Sequence, residues 1–321
     1  MATKKEPGFT IALPSGKSLE APTLELLKRV GVTVNRRHPR AIAADVDGIP
    51  RLFTAIFCRP DQVGVLVQAG VAEYGITGKD IMIENPQANV EILAELPYSR
   101  LTAGGTRCVL FTHHEHFVRS LEMMKRLPRR RAKDGHVLLG DRVVASEYPV
   151  ETKAFLDANG IDIPVVPTKS AEVMVYTRIC QYGVALIETG TTRDVNRLVE
   201  IEDGTIFESC SVLVANKERG GTWVPSGYGY VRLHEFLPAL LCGACNALKM
   251  VYLLMNAPVG KVEEIRKMLP SLKSPTVQPL ADLGFCSIGA VVPAKDVNLI
   301  IWALREHEAT GFVTLPPSTV M

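Results

Sequence analysis

Four residues offer the clearest chemistry in this chain: Thr189, Gly190, Thr191 and Thr192 follow directly on an apolar run, Val184 to Ile187. The run has the length of a buried strand in a parallel sheet. Asp194 and Asn196, after the turn, are residue types that begin helices. A strand, a tight glycine turn and a helix start together make an anion cradle. Gly190 lets the backbone fold closely around the anion, successive amides point inward, the threonine hydroxyls add donors, and the helix dipole favours negative charge. Arg193 adds a charged donor at the rim.

Two further turns have the same place in the pattern. Phe9 to Leu13 reads as a strand, followed by Pro14-Ser15-Gly16-Lys17-Ser18 and a helical stretch with Leu24, Leu26, Leu27 and Val30. Gly16-Lys17-Ser18 has the ending of a nucleotide-binding P-loop, but the glycine that motif needs five places earlier is Ile11. What remains is a lysine at a strand-to-helix turn, able to meet a phosphate or to stay solvated. Ala72 to Asp80 reads as a buried strand ending in the turn Thr77-Gly78-Lys79-Asp80. In open parallel sheets ligands gather beyond the carboxyl ends of strands, so all three turns are expected at one cleft.

The elements that must carry these turns alternate. Strand patterns at Ala41 to Val46 and Phe53 to Cys58, a helix from Pro60 to Gly70, and the strand at Ala72 make one α/β unit. From about Gly105 the alternation restarts: strand at Arg107 to Thr112, strand at Arg142 to Ser146, helix at Glu151 to Ala158 ending on Asn159-Gly160, and strand at Pro164 to Pro167. Residues 105 to 190 are expected to form a second unit joined to the first by two crossings, with a ligand cleft between them. Gly220 to Gly229 reads as a loop and Leu233 to Val251 as a helical connection. The end of the chain reads strand, helix (Val262 to Leu269), strand, strand (Cys286 to Val292), helix (Ala294 to Glu308), strand (Gly311 to Leu315), the order of a ferredoxin-like module.

Bulk properties narrow the partners. The 321 residues suit two or three domains, and 47% hydrophobic with 22% charged is a globular balance. With 36 basic against 34 acidic side chains the net charge is +2, so no global field draws the chain to a nucleic acid polymer or a membrane. No apolar run reaches the roughly 18 residues that span a bilayer. Seven scattered cysteines, an odd number, argue for reduced thiols and a cytoplasmic protein. His113-His114-Glu115-His116 offers at most His114 and His116 on one side of a strand, and Cys242-Gly243-Ala244-Cys245 lacks a second pair; neither makes a metal site, and metal ligands stay unknown. Arg129 to Arg131 reads as a solvated loop.

The order of motifs resembles the long form of the ATP phosphoribosyltransferase family. The resemblance runs nearly end to end, through IALPSGKSLE with ELLKRVGV, GVAEYGITGKD, RVVASEYP, ETGTT, LLMNAP, LPSLKSPTVQPLAD and the terminal GFVTLPP. It implies two periplasmic-binding-protein-like α/β lobes, residues 1–104 with 191–240 and residues 105–190. It also implies a C-terminal ferredoxin-like (ACT-like) domain, 245–321, that binds histidine as feedback inhibitor. The implied reaction joins N1 of ATP to C1 of phosphoribosyl pyrophosphate, with Mg2+ as cofactor, in a hexamer. Thr189, Gly190, Thr191 and Thr192 match the family's phosphate loop, with Glu188 directly beside it. Ser15, Gly16 and Lys17 fall at its basic substrate-facing turn, Arg107 follows a Gly-Gly pair as in the family, and Glu172 matches a family acidic position. By match to the Ser-Pro-Thr segment, Ser274, Thr276 and Asp282 are the expected effector contacts, or else a turn that sets a strand entry.

The chain also departs from that pattern. Ala185 and Gln181 stand where the family carries aspartates, the later one suited to ribose hydroxyls, and Glu188 replaces a common serine. An alanine accepts no hydroxyl proton, a loss of roughly 1.5 to 3 kcal/mol for a charged contact. Glu188 would repel phosphate unless Arg193 or magnesium offsets it, or would itself replace the missing acceptor. These departures are expected at the substrate, not in the core. The segment 112–141 is longer than the pattern. Two other readings stay open: a diverged paralogue for another phosphorylated sugar or base, and a non-catalytic ligand-sensing subunit.

Overall fold

The computed structural model describes residues 8–16, 19–98, 106–126, 141–187, 196–219, 223–270 and 274–321. These residues separate into two compact units, one within 1–22, 36–44 and 52–220, the other within 23–35, 45–51 and 221–321.

The first unit is built on two sheets. The strands β1 (Phe9–Pro14), β4 (Leu52–Cys58), β5 (Tyr74–Gly78), β6 (Val90–Leu96) and β12 (Ser211–Asn216) lie side by side in the order β4-β1-β5-β12-β6. β1 runs parallel to β4 and β5, whereas β12 returns antiparallel between β5 and β6. β5 and β12 are buried along their whole length, as central strands covered on both faces must be. Helix α2 (Pro60–Gln68) begins with proline in its first turn, where no amide is needed, and buries Val63 and Val67 over the sheet.

The second sheet has the order β11-β7-β10-β8-β9, with β7 (Thr106–His113), β8 (Asp141–Ser146), β9 (Val165–Pro167), β10 (Cys180–Ile187) and β11 (Leu198–Ser209). β8, β9 and β10 are parallel; β7 runs against β10, and β11 runs against β7 and so in the direction of the other three. The two α/β lobes expected from the alternation are present, with one shift of boundary. β11 belongs to the second sheet, so the chain crosses back at Ser209–Ser211 and not at residue 190. Helices α5 (Pro149–Ala158) and α6 (Ala171–Tyr176) cover this sheet.

In the second unit β2 (Thr33–Asn35) pairs antiparallel with Asp45 to Asp47 of β3 (Ala43–Asp47). The stretch expected as a loop after Gly220 holds a short hairpin, β13 (Trp223–Ser226) with β14 (Gly229–Arg232). Helix α7 (Leu233–Ala247) follows, and the chain's end lies against it: Val320 N donates to Gly243 O at 2.9 Å, and a Cβ on Gly243 would stand 2.6 Å from Thr319 Cγ2. The remainder is a four-stranded antiparallel sheet of β15 (Met250–Pro258), β16 (Thr276–Pro279), β17 (Phe285–Pro293) and β18 (Thr310–Leu315), ordered β16-β17-β15-β18. Helices α8 (Val262–Met268) and α9 (Val297–Arg305) close one core with it, through Leu253, Met255, Ile265, Ile288 and Leu304. This is the expected β-α-β-β-α-β module. No helix among the described residues is long and apolar enough to cross a membrane, and no disulfide joins the seven cysteines.

Candidate functional site

The first expected turn leaves the carboxyl end of β1. Ser15 N donates to Cys58 O at 2.6 Å, continuing the β1–β4 ladder by one bond. Gly16 then takes φ +109°, a conformation that side chains with a Cβ rarely adopt, and it points the chain into the helix that starts at Glu20. The Gly16 amide donates to Glu20 Oε2 at 2.9 Å, and Glu20 Oε1 is paired with Arg36 Nη1 at 2.8 Å. Arg36 is itself held by Ala41 O at 2.6 Å and lies 4.0 Å over the Phe57 ring. A carboxylate therefore occupies an amide donor of the kind that would receive a substrate anion, and a guanidinium stands behind it. Lys17 lies outside the described residues.

The second turn is not free to receive a ligand. Thr77 Oγ1 donates to Pro60 O at 2.7 Å, Lys79 Nζ is paired with Glu95 at 2.5 Å, and Asp80 is 8% exposed with three hydrogen bonds. Of the three turns expected at one cleft, this one is instead a joint between the lobes.

The third turn, with Glu188, Thr189, Gly190, Thr191, Thr192 and Arg193, also lies outside the described residues; the structure defines its approach. β10 carries the chain to Ile187, and Arg107, at the start of the antiparallel β7, is the register partner of Ile187. The Arg107 guanidinium is gripped by Glu200 from the other side, Nη1 to Oε2 at 3.3 Å and Nη2 to Oε1 at 3.2 Å, with Nη1 also donating to Thr205 Oγ1 at 3.3 Å. Arg107 thus stands where the loop begins, with its charge shared by a carboxylate.

On the opposite side of β10 from β7, past the end of β8, lies a pair of carboxyls. Glu147 follows the last residue of β8, its amide donates to Val184 O at 3.2 Å, and its Oε1 accepts from Ala171 N at 3.4 Å. Glu172, one of the expected site residues, is in the first turn of α6. Burial, and after it the charge of Glu172, push the Glu147 carboxyl up from 4.5 to about 7, against the Ala171 amide and Lys169, which pull it down. A carboxyl near neutrality at strand ends is a group able to accept or release a proton under ordinary conditions. The sequence held no mark of it, since the glutamate in Ser146-Glu147-Tyr148 has no charged neighbour along the chain.

One expectation about the site is overturned. Ala185 is 1% exposed and packs in the core of the second lobe with Ala145, Ala171 and Val175. β10 is a central strand packed on both faces from Tyr182 to Ala185, so this departure sits in packing and not at an open surface. Gln181 is half-buried lower on the same strand, where its carbonyl accepts from Thr112 Oγ1 at 2.8 Å.

In the second unit, Ser274 is exposed just before β16, and Thr276 opens that edge strand opposite Gly289. Asp282 Oδ1 accepts from Gly284 N at 3.0 Å and closes the turn into β17.

Comparison with known proteins bears on all of this. A family model described as ATP phosphoribosyltransferase matches residues 59–222, and one described as the HisG C-terminal domain matches 247–317. The ATP phosphoribosyltransferase of Methanopyrus kandleri is 30% identical over 313 residues, 96% of this chain and 98% of that protein. That of Bacteroides thetaiotaomicron is 32% identical over 311 residues, 95% and 97% of the two chains. ATP phosphoribosyltransferase 1 of Geobacter sulfurreducens is 31% identical over 314 residues, 98% and 99%.

Proposed function

This chain is a member of the ATP phosphoribosyltransferase family, and on that premise we propose that it joins N1 of ATP to C1 of phosphoribosyl pyrophosphate with release of pyrophosphate. The single observation that carries the reading is the relationship itself, which spans both sheets of the first unit and the ferredoxin-like module of the second.

The chemistry asks for a cradle for the sugar phosphate, cations against the leaving pyrophosphate, and close positioning of two anionic substrates. We assign the cradle to Thr189, Gly190, Thr191 and Thr192, approached along β10, with Glu188 beside it. Arg107 at the mouth of that loop and Lys17 after β1 are the cations, and the amides of Ser15 and Gly16 are further donors. For the Gly16 amide to reach substrate, Glu20 must turn away, a movement its pairing with Arg36 can absorb. Glu147 and Glu172 supply acceptors for sugar hydroxyls.

Magnesium supplies charge neutralisation of the pyrophosphate when bound. Among the described residues no three His, Cys, Asp or Glu side chains converge on one point, so the fit is to an ion carried chiefly by substrate phosphates and water, the usual habit of magnesium. The same reading divides the chain into two catalytic lobes and a C-terminal effector domain. There histidine, at Ser274, Thr276 and Asp282, acts as feedback inhibitor, in a cytoplasmic hexamer. A second reading, a diverged member acting on another phosphorylated sugar or base, is favoured by Glu188, which stands beside the cradle where the family commonly has serine.

Pyrophosphate release by Thr189→Ala and Gly190→Val tests the assignment. Loss of a phosphate donor is expected to lower the rate by about one to two decades; an unchanged rate in both variants rejects the 189–192 turn as the cradle.

A further inference from the structure

The helix α3 (Lys79–Glu84) of the first lobe carries two carboxylates one turn apart, Asp80 and Glu84, which therefore share a face. Both are spent on the second lobe. Asp80 Oδ2 accepts from Tyr148 Oη at 2.9 Å, Oδ1 accepts from Ser209 Oγ at 2.7 Å, and the Asp80 amide donates back to Ser209 Oγ at 3.0 Å. Glu84 accepts the amides of Val150 at 2.8 Å and Glu151 at 3.1 Å. These belong to the first turn of α5, whose leading amides have no partner inside the helix, and a carboxylate there also meets the favourable end of the dipole. Asp80 and Glu84 are 8% and 9% exposed, so the contacts are dry.

The partners make this more than a cap. Ser209 ends β11 at one crossing between the lobes, and its carbonyl accepts from Thr106 Oγ1 at 3.3 Å, at the other crossing. Tyr148 lies edge-on against Phe207, 5.6 Å between ring centres, and its amide donates to Ser146 Oγ at 2.9 Å. The turn from Ser146 to Glu151 is thus held to the first lobe through Tyr148, Val150 and Glu151, while Glu147 between them turns toward α6. Separating the lobes at this edge would leave two buried carboxylates without donors, a change that costs far more than the contacts contribute when made. Motion that opens the molecule must therefore pivot on this edge.

We propose that Asp80 and Glu84 form an interlobe latch, acting as positioning residues that set the angle at which the strand ends of the second lobe face the first. Its kinetic consequence rests on the phosphoribosyl-transfer reading; its structural consequence does not. Each substrate keeps its own contacts when the latch is loosened, but their alignment is lost, so kcat falls and KM does not follow.

The test uses the full chain with Tyr148→Phe, which removes one hydroxyl, and Glu84→Gln. Hydrogen exchange without substrate is expected to speed up about tenfold at Val150 and Glu151 in Glu84→Gln. In Tyr148→Phe, kcat is expected to fall about tenfold, as for an unpaired buried carboxylate oxygen, with KM for both substrates within about twofold of the parent. Asp80→Asn, which keeps an acceptor for Tyr148, should retain more of kcat than Asp80→Ala. Unchanged exchange at 150–151 in Glu84→Gln, or an unchanged kcat in Tyr148→Phe, overturns the latch. If the parent protein transfers no phosphoribosyl group, the reading of function fails and the exchange result alone decides the latch.

Discussion

Replacing Glu147 with glutamine should remove a pH dependence from stability. In the folded chain burial and the Glu172 charge hold the Glu147 carboxyl at about 7, whereas in the unfolded chain it returns to 4.5. Because the folded value is the higher one, the folded state keeps a proton that the unfolded state has released between these values. Stability therefore falls as pH rises from 4.5 to about 7 and stays reduced above it. The gap, at 1.36 kcal/mol per pH unit, is about 3 kcal/mol; solvent around a half-buried side chain reduces this to about 1–2 kcal/mol. Glutamine has the same shape and no charge to desolvate. Urea unfolding of the two proteins should give equal stability near pH 4.5 and a variant more stable by about 1–2 kcal/mol at pH 8. Glu172→Gln should move the parent's transition to lower pH, because it removes the nearby like charge. A difference between parent and Glu147→Gln that is the same at pH 4.5 and pH 8 would refute the reasoning.

Two further outcomes follow from the site. Glu200→Gln frees the Arg107 guanidinium from its carboxylate partner, so KM for phosphoribosyl pyrophosphate should fall, while unfolding changes by less than about 1 kcal/mol because the pair is partly exposed; steady-state kinetics and urea unfolding check both. Ala185→Asp puts a carboxylate among Ala145, Ala171 and Val175, and should lower unfolding stability by about 1–3 kcal/mol without tightening substrate binding, as urea unfolding and calorimetry would report.

The alternation of apolar runs with helix signals was enough to read both lobes and the terminal module, because strands such as Val184–Ile187 and Tyr74–Ile76 are continuous apolar stretches. β11 escaped that reading. Its sequence, Leu198 to Ser209, is half polar, and Asp203-Gly204 has the look of a hairpin turn. In the structure Asp203 takes φ 60° and the register to β7 shifts between Glu200 and Thr205, so the strand continues through an irregularity instead of turning. Pro225 and the glycines hid the 223–232 hairpin in the same way.

At the site, Arg107 and Glu172 were found by their match to a family pattern, and their surroundings were not legible. Asp80 meets Tyr148 across 68 positions and Ser209 across 129, and no local spacing encodes such pairs. Glu147 owes its character to burial, which a single glutamate in a polar turn does not announce. The expectation that Ala185 faces the substrate rests on the aspartate the family carries at that place; β10 is buried at consecutive positions from Tyr182 to Ala185, and residue 185 packs among Ala145, Ala171 and Val175.

The most direct test is pyrophosphate release by the parent protein mixed with phosphoribosyl pyrophosphate and magnesium, with and without ATP. The account predicts release only when ATP is present, in step with an ATP-derived product heavier by one phosphoribosyl group. Release that ignores ATP, or none under either condition, would contradict it.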